Sequence, residues 1–181
     1  MHKKALFLIV LTLYNFANID MPKFPDEIQP FSIYQTNIRG RIVRLGNAYS
    51  EVLKLENYPV QVASLLGELT TVAIALADSM KYDGQFILQT QSDGPVGTMV
   101  SHVKYNSTFR SYANYNKNEF DFDTVENSMI GLLGKGQIAF TVDQGKNTKR
   151  YQGITNLEGK NIAKCVESYF KKSEQISTSI L

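Results

Sequence analysis

Tryptophan is absent from this chain of 181 residues, cysteine occurs once and histidine twice. A single thiol excludes an intramolecular disulfide framework and any zinc site built on paired cysteines of the chain. His2 and His102 leave little material for a histidine metal centre or a His-driven catalytic triad. Neither sign of charge dominates: 19 basic and 17 acidic side chains give a formal charge of +2. That balance supplies no field to draw nucleic acid or an anionic membrane, so neither is expected as a partner. Internal repeats and low-complexity tracts are also missing. What remains, 43% apolar and 20% charged residues, is ordinary globular usage and argues against a disordered chain. At ~150 residues per domain the length fits one domain, with or without a tail. A chain of this size buries roughly 70% of its unfolded surface, enough for a real core.

Both ends are unusual. Lys3 and Lys4 precede a nearly apolar run, Ala5 to Tyr14, with the shape of a signal peptide. The run is too short to cross a bilayer as a helix, so no stable membrane span is expected. Asn15-Phe16-Ala17-Asn18 lacks the small-x-small pattern of a cleavage site, and Met21 opens a more usual soluble sequence. Three readings stay open: a secretory signal that would export the protein, an upstream stretch translated from a start placed too early, or an ordinary hydrophobic N-terminal element. Residues 1–21 are accordingly set apart as an extension. At the other end, Ile176 to Leu181 begins a β-like alternation in its apolar phase and reads as a strand cut short.

Between the ends, periodicity predicts segregated strands and two long helices. Pro22, Pro25 and Pro30 make the first stretch non-helical. Ile38 to Leu45 alternates as a strand, with Arg39 and Arg41 on one face and Ile38, Gly40 and Ile42 on the other. Asn47 to Glu56 reads as a short helix ended by Asn57-Tyr58-Pro59. From Pro59 to Met80, Val62, Leu65, Leu66, Leu69, Val72, Ala73 and Leu76 recur at helical steps, and charge is so scarce that most of the circumference should be buried. After a turn at Tyr82-Asp83-Gly84, strands are expected at Phe86–Gln91, Val96–Val103 and Thr108–Tyr115, an antiparallel meander. Asn116 to Ser128 is a polar, acidic loop. Gly136–Val142 and Lys149–Leu157 form a further pair of strands. A last helix runs from Asn161 to Gln175, with Ile162, Val166, Tyr169 and Phe170 on one face. The fold class is therefore α+β, antiparallel or mixed sheets packed with two long helices.

No constellation is specific for an enzyme. Gly131-Leu132-Leu133-Gly134-Lys135-Gly136 has too few residues before Gly-Lys for a phosphate loop and a glycine where the hydroxyl belongs, so it reads as a tight turn into a strand. Asp121 and Asp123 open like a calcium loop, but Val125 and Glu126 break the pattern. Arg39, Arg41 and Arg44 form a small basic stripe, read as an exposed strand face. His102 lies in a strand without a recognisable partner, and Cys165 on the apolar side of the last helix reads as an inert thiol. Asn106-Ser107-Thr108 is a glycosylation sequon that matters only in a secretory pathway. Catalytic, metal and cofactor residues are thus not assigned.

Several strings nevertheless stand in an order that resembles the redox-regulated chaperone family heat shock protein 33, the 33 kDa chaperonin. They are Asn37-Ile38-Arg39-Gly40-Arg41-Ile42-Val43-Arg44-Leu45-Gly46; Tyr58-Pro59 with Leu65-Leu66-Gly67-Glu68; Lys81 to Phe86; and Leu88-Gln89-Thr90-Gln91-Ser92-Asp93-Gly94-Pro95-Val96. Leu133-Gly134-Lys135-Gly136, Thr141 to Gly145, Arg150-Tyr151-Gln152-Gly153-Ile154, Leu157-Glu158-Gly159, Tyr169-Phe170 and Ser173-Glu174-Gln175-Ile176 continue it.

The resemblance covers residues 30–181 and implies a substrate-binding α+β core of a cytoplasmic holdase. Such a protein binds unfolding proteins under oxidative or heat stress and forms dimers. The resemblance also implies a zinc module whose four cysteines lose the metal on oxidation. Those cysteines do not occur here, so the chain is expected to be a partial core without the zinc and disulfide switch and without a cofactor. Client-binding residues stay unassigned, because no motif marks exposed apolar surface. The alternatives are an inactive truncated or frameshifted product and an unrecognised hydrolase using His102 with a nearby carboxylate.

Overall fold

The computed structural model describes residues 6–13 (backbone only), 25–80, 84–106, 108–117, 121, 128–145 and 148–181. Its centre is the helix that periodicity predicts most clearly. Helix α2, Val60–Ser79, follows α1, Asn47–Leu53, and Pro59 caps its start. The fixed φ of proline suits a helix entrance, and its missing N–H costs nothing there. Leu66, Leu69, Val72, Ala73 and Ala75 are completely buried. Each fully buried Leu or Val contributes about 1.5–3 kcal/mol over an exposed one. By length and apolarity α2 would also suit a membrane, but here it is wrapped by protein.

Two sheets do the wrapping. Strands β4 (Gln85–Ser92), β5 (Val96–Lys104), β6 (Phe109–Tyr115), β7 (Gly136–Asp143) and β8 (Tyr151–Asn156) form a five-stranded sheet ordered β6-β5-β4-β7-β8. Every neighbouring pair in it is antiparallel. Strands β1 (Leu6–Leu13), β2 (Glu27–Ser32), β3 (Ile38–Leu45) and β9 (Ser177–Ile180) form a mixed sheet ordered β2-β3-β1-β9. Helix α2 touches β1 and β3 on one side and β4, β5 and β6 on the other. The short α3 (Met129–Leu133) precedes β7, and α4 (Ile162–Lys172) touches α2, β8 and β9.

The α+β class, the meander, the β7–β8 pair and both long helices are as expected, within a few residues at their ends. Three details differ. The run at residues 6–13, set apart from the core in the sequence, is a strand that pairs along all of β3 and along β9, parallel to both. The boundary at residue 30 falls inside β2; Pro30 is tolerated there because β2 is an edge strand, where a missing N–H breaks no ladder. The stripe of Arg39, Arg41 and Arg44 is split. Val43 and Leu45, on the face of Arg41, are buried, and Arg41 pairs with Asp78 of α2. Arg44 projects from the other face and pairs with Glu27 of β2 at 2.9 Å, while Arg39 is exposed. His2, Asn15 to Pro22, Lys81 to Asp83, Ser107 and the stretch from Asp123 to Glu126 lie outside the described residues.

Candidate functional site

An apolar groove of about 310 Å3 opens where the end of α2, the five-stranded sheet and α4 meet. Met80 lies at its α2 end, Phe86, Phe140 and Val142 come from β4 and β7, Gln144 follows β7, and Tyr151, Tyr169, Phe170 and Glu174 complete it. Phe86 and Phe140 are buried, a floor that strand alternation points toward the helices. Tyr169 stacks on Phe140 with ring centroids 4.2 Å apart, and Phe170 meets both rings edge-on. Such pairs add about 0.5–1.5 kcal/mol each beyond burial.

One carboxylate organises the polar rim. Glu174 follows α4, where Ser173 caps the last turn and Gln175 takes a positive φ of 56° that turns the chain back. Its Oε1 accepts hydrogen bonds from Tyr151 at 2.6 Å and Tyr169 at 2.8 Å. The Glu174 carboxylate pushes the Tyr151 hydroxyl pKa upward, and burial does the same more strongly for Tyr169. Both phenols therefore stay protonated donors. Gly153 makes this possible: a Cβ there would lie 1.8 Å from the Tyr169 hydroxyl oxygen. Tyr151 leaves about half its surface exposed on the groove rim, and Ile154 does so on the other face of the same edge strand β8.

A second junction fixes the far end of the same sheet. The Gly94 N–H donates to the Leu133 carbonyl at 2.9 Å, and Asp93 accepts from the Lys135 N–H at 2.7 Å. A Cβ on Gly94 would sit 2.5 Å from the Leu133 carbonyl carbon. The glycine-rich string at residues 131–136 is thus the end of α3 and a tight turn into β7 locked against the β4–β5 turn; the turn into a strand is as expected, the helix before it is not.

The other candidates stay apart from the groove. His102 Nε2 meets the Gln85 side-chain oxygen at 2.7 Å, and burial with Lys104 and Arg110 nearby lowers its pKa. The Asp143 carboxylate reaches it only through the Gln85 amide, at 3.2 Å from that nitrogen, and among the described residues no hydroxyl or thiol is bonded to the imidazole. Cys165 is buried with its sulfur 3.7 Å from that of Met129, and burial pushes its pKa up to about 11. A thiol held protonated among apolar atoms is a poor zinc ligand. With one cysteine in the chain, the residues present do not fit the metal that the resemblance implies.

Residues 26–181 match the family described as Hsp33 protein. The chain belongs to the Hsp33 family. Among curated relatives, the 33 kDa chaperonin of Caulobacter vibrioides is 39% identical over 158 residues, covering 86% of this chain and 52% of its own length. That of Nitrosococcus oceani is 36% identical over 156 residues, covering 86% and 52%. That of Pseudomonas aeruginosa is 39% identical over 153 residues, covering 84% and 50%. The chain spans about half the length of the curated relatives it matches. The crystal structure of the 33 kDa chaperonin of Thermotoga maritima superposes with a TM-score of 0.73 at 22% identity, over 83% of this chain and 52% of that one. The α+β fold is therefore the Hsp33 fold. The groove itself went unseen in the sequence, although Arg150 to Ile154, Tyr169-Phe170 and Ser173 to Ile176 carry the resemblance and bring Tyr151, Gly153, Tyr169, Phe170 and Glu174 together.

Proposed function

We propose that this chain is the substrate-binding core of a holdase: it binds unfolding proteins at exposed apolar surface and limits their aggregation. The observation that carries the reading is the aromatic groove with the half-exposed Tyr151 on its rim, in a chain of a chaperone family. Apolar side chains of a client enter such a groove for the hydrophobic gain, and the protonated phenols offer hydrogen-bonding rims without imposing a sequence. Binding of this kind is broad, as a holdase requires. With the thiol buried and no cysteine pair, we infer that it works without zinc and without a disulfide switch, in the reducing cytoplasm where a lone thiol stays reduced. Self-association into a dimer, as in the family, belongs to the same reading.

The test is the aggregation of a thermally unfolding client, followed by light scattering, with and without peroxide and with a zinc chelator. Equal suppression in all three conditions is expected. Tyr151→Asp, at the half-exposed rim of the groove, should weaken suppression several-fold with little change in the melting temperature. Suppression that appears only after oxidation would overturn the switch-free reading; none in any condition would identify the chain as an inactive product.

A further inference from the structure

Strand β1 occupies an unusual place. It lies ahead of residues 26–181, the part that matches the family, yet it stands inside the mixed sheet between two strands that belong to that part. Leu6 to Leu13 pair residue for residue with Ile38 to Leu45 of β3. On its other edge, Leu6 to Ile9 pair with Ser177 to Ile180 of β9. Among the described residues β9 has no other strand partner, so β1 is what joins it to the sheet. Taking β1 away would leave a slot edged by the unpaired backbone groups of β3 and β9. Buried Val43, Leu45 and Ile180 line its flanking strands, and α2 lies against it. A row of unpaired N–H and C=O groups is a template for any extended chain.

The occupant has a definite chemistry. Leu6-Phe7-Leu8-Ile9-Val10-Leu11-Thr12-Leu13 carries no charge, no proline and no glycine. That is the composition of a segment exposed when a protein unfolds and prone to β-aggregation. We propose that the β3–β9 slot is a second client site, taking an extended apolar segment of an unfolding protein by strand addition, and that β1 fills it in the resting chain as a built-in stand-in. Strand addition draws its affinity from main-chain hydrogen bonds, which are the same for every client sequence, and asks only for apolar side chains on alternate positions. The proposal rests on the holdase reading and adds its mode of regulation. A strand tethered through a short linker competes at an effective concentration of about millimolar, so clients displace β1 only when heat loosens it.

The experiment uses a labelled peptide of residues 5–14 with a solubilising lysine tail. It is titrated by fluorescence anisotropy against the full chain, and against the same chain carrying a specific protease site between Asp20 and Met21, cut after folding. Ile9→Pro in the uncut chain is a second route, because proline cannot donate to a ladder and loosens β1 between its two neighbours. Peptide binding at least tenfold tighter to the cut and Ile9→Pro forms than to the uncut chain is expected. A control peptide with Asp at two of its leucines should fail to bind. Equal binding to all forms, or to none, would overturn the proposal. So would a cut chain that doubles its mass by light scattering and excludes the peptide, which would name a second copy as the occupant. Peptide binding without suppression of aggregation would sink the holdase reading and leave the slot standing; suppression without peptide binding would do the reverse.

Discussion

The two sheets that enclose α2 are assembled on different plans. In the five-stranded sheet, β4, β5 and β6 follow one another as a meander and β7 and β8 as a hairpin, all antiparallel. The mixed sheet gathers strands from residues 6–13, 27–45 and 177–180, and two of its three pairings are parallel. Short loops close cheaply and strands joined by them find each other early, whereas pairing the two ends of a chain pays its loop entropy first. The helices offset that cost. Helix α4 touches β8 of one sheet and β9 of the other, and its Glu167 accepts the Ile180 N–H at 2.7 Å.

If α2 and α4 join the sheets into one cooperative unit, damage to either sheet should appear everywhere. Phe86, completely buried on β4, is the severest case. Phe86→Ala should cost about 3–5 kcal/mol and Leu45→Ala, on β3, about 2–5 kcal/mol. Urea unfolding followed by tyrosine fluorescence and by far-ultraviolet circular dichroism should give coincident single transitions for both variants. A Leu45→Ala protein whose two probes separate would show that the mixed sheet melts on its own.

How much of this was legible follows from the same contrast. Ile38 to Leu45, Val60 to Ser79 and the strands from Gln85 to Asn156 carry their period in a short window, so residue pattern sufficed. Helix α3, five residues long, is too short to show one. The division into two sheets was invisible, because no local pattern says that β3 pairs with residues 6–13 or that β9 joins them. The same run was set apart from the core because an unbroken apolar stretch after two lysines has the shape of a signal peptide, and a parallel strand inside a sheet can carry the same unbroken apolar pattern. The groove was illegible for a related reason: Met80, Phe86, Phe140, Tyr151, Tyr169 and Glu174 meet only through the fold. The order of the family strings carried more of the functional conclusion than any residue pattern did.

Glu68 sharpens the comparison at the middle of the range, since it ties α2 to α4. Its carboxylate accepts the Ala163 N–H at 2.9 Å, one of the orphan donors of the first turn of α4. Glu68→Ala leaves that buried donor unpaired and should cost about 1–3 kcal/mol. Burial raises the Glu68 pKa above its ordinary value, and the bonds from Ala163 and Ile162 counter this only in part. The folded chain thus holds this proton more tightly than the unfolded one. Its contribution is fully present below the ordinary glutamate range and is lost as pH rises through the raised folded-state value. Glu68→Gln keeps an acceptor oxygen and removes the titration, so the difference in stability between wild type and Glu68→Gln should change across the mildly acidic range and level off on either side. A constant difference from acid to neutral pH would contradict the burial-driven shift.

The smallest effects should separate Arg41 and Arg44 of β3, which lie on opposite faces of the mixed sheet. Arg41 pairs with Asp78, and its guanidinium also donates to the Gly40 carbonyl at 3.1 Å. Asp78 stands in the last turn of α2, where the helix dipole disfavours a negative charge, so the partner cation offsets a real cost. Arg44 meets Glu27 across the β2–β3 pair, at the sheet edge, where both side chains are half-buried. An isolated pair near the surface is worth about 0.2–1 kcal/mol and is screened by salt, and this one has no second bond of the kind Arg41 makes to Gly40. Arg41→Ala should therefore lower the urea midpoint more than Arg44→Ala, and the Arg44→Ala deficit should shrink toward zero in molar salt while most of the Arg41→Ala deficit survives. Equal deficits that vanish together in salt would mean that Arg41 is as solvated as Arg44, and that its face of β3 is not held against α2.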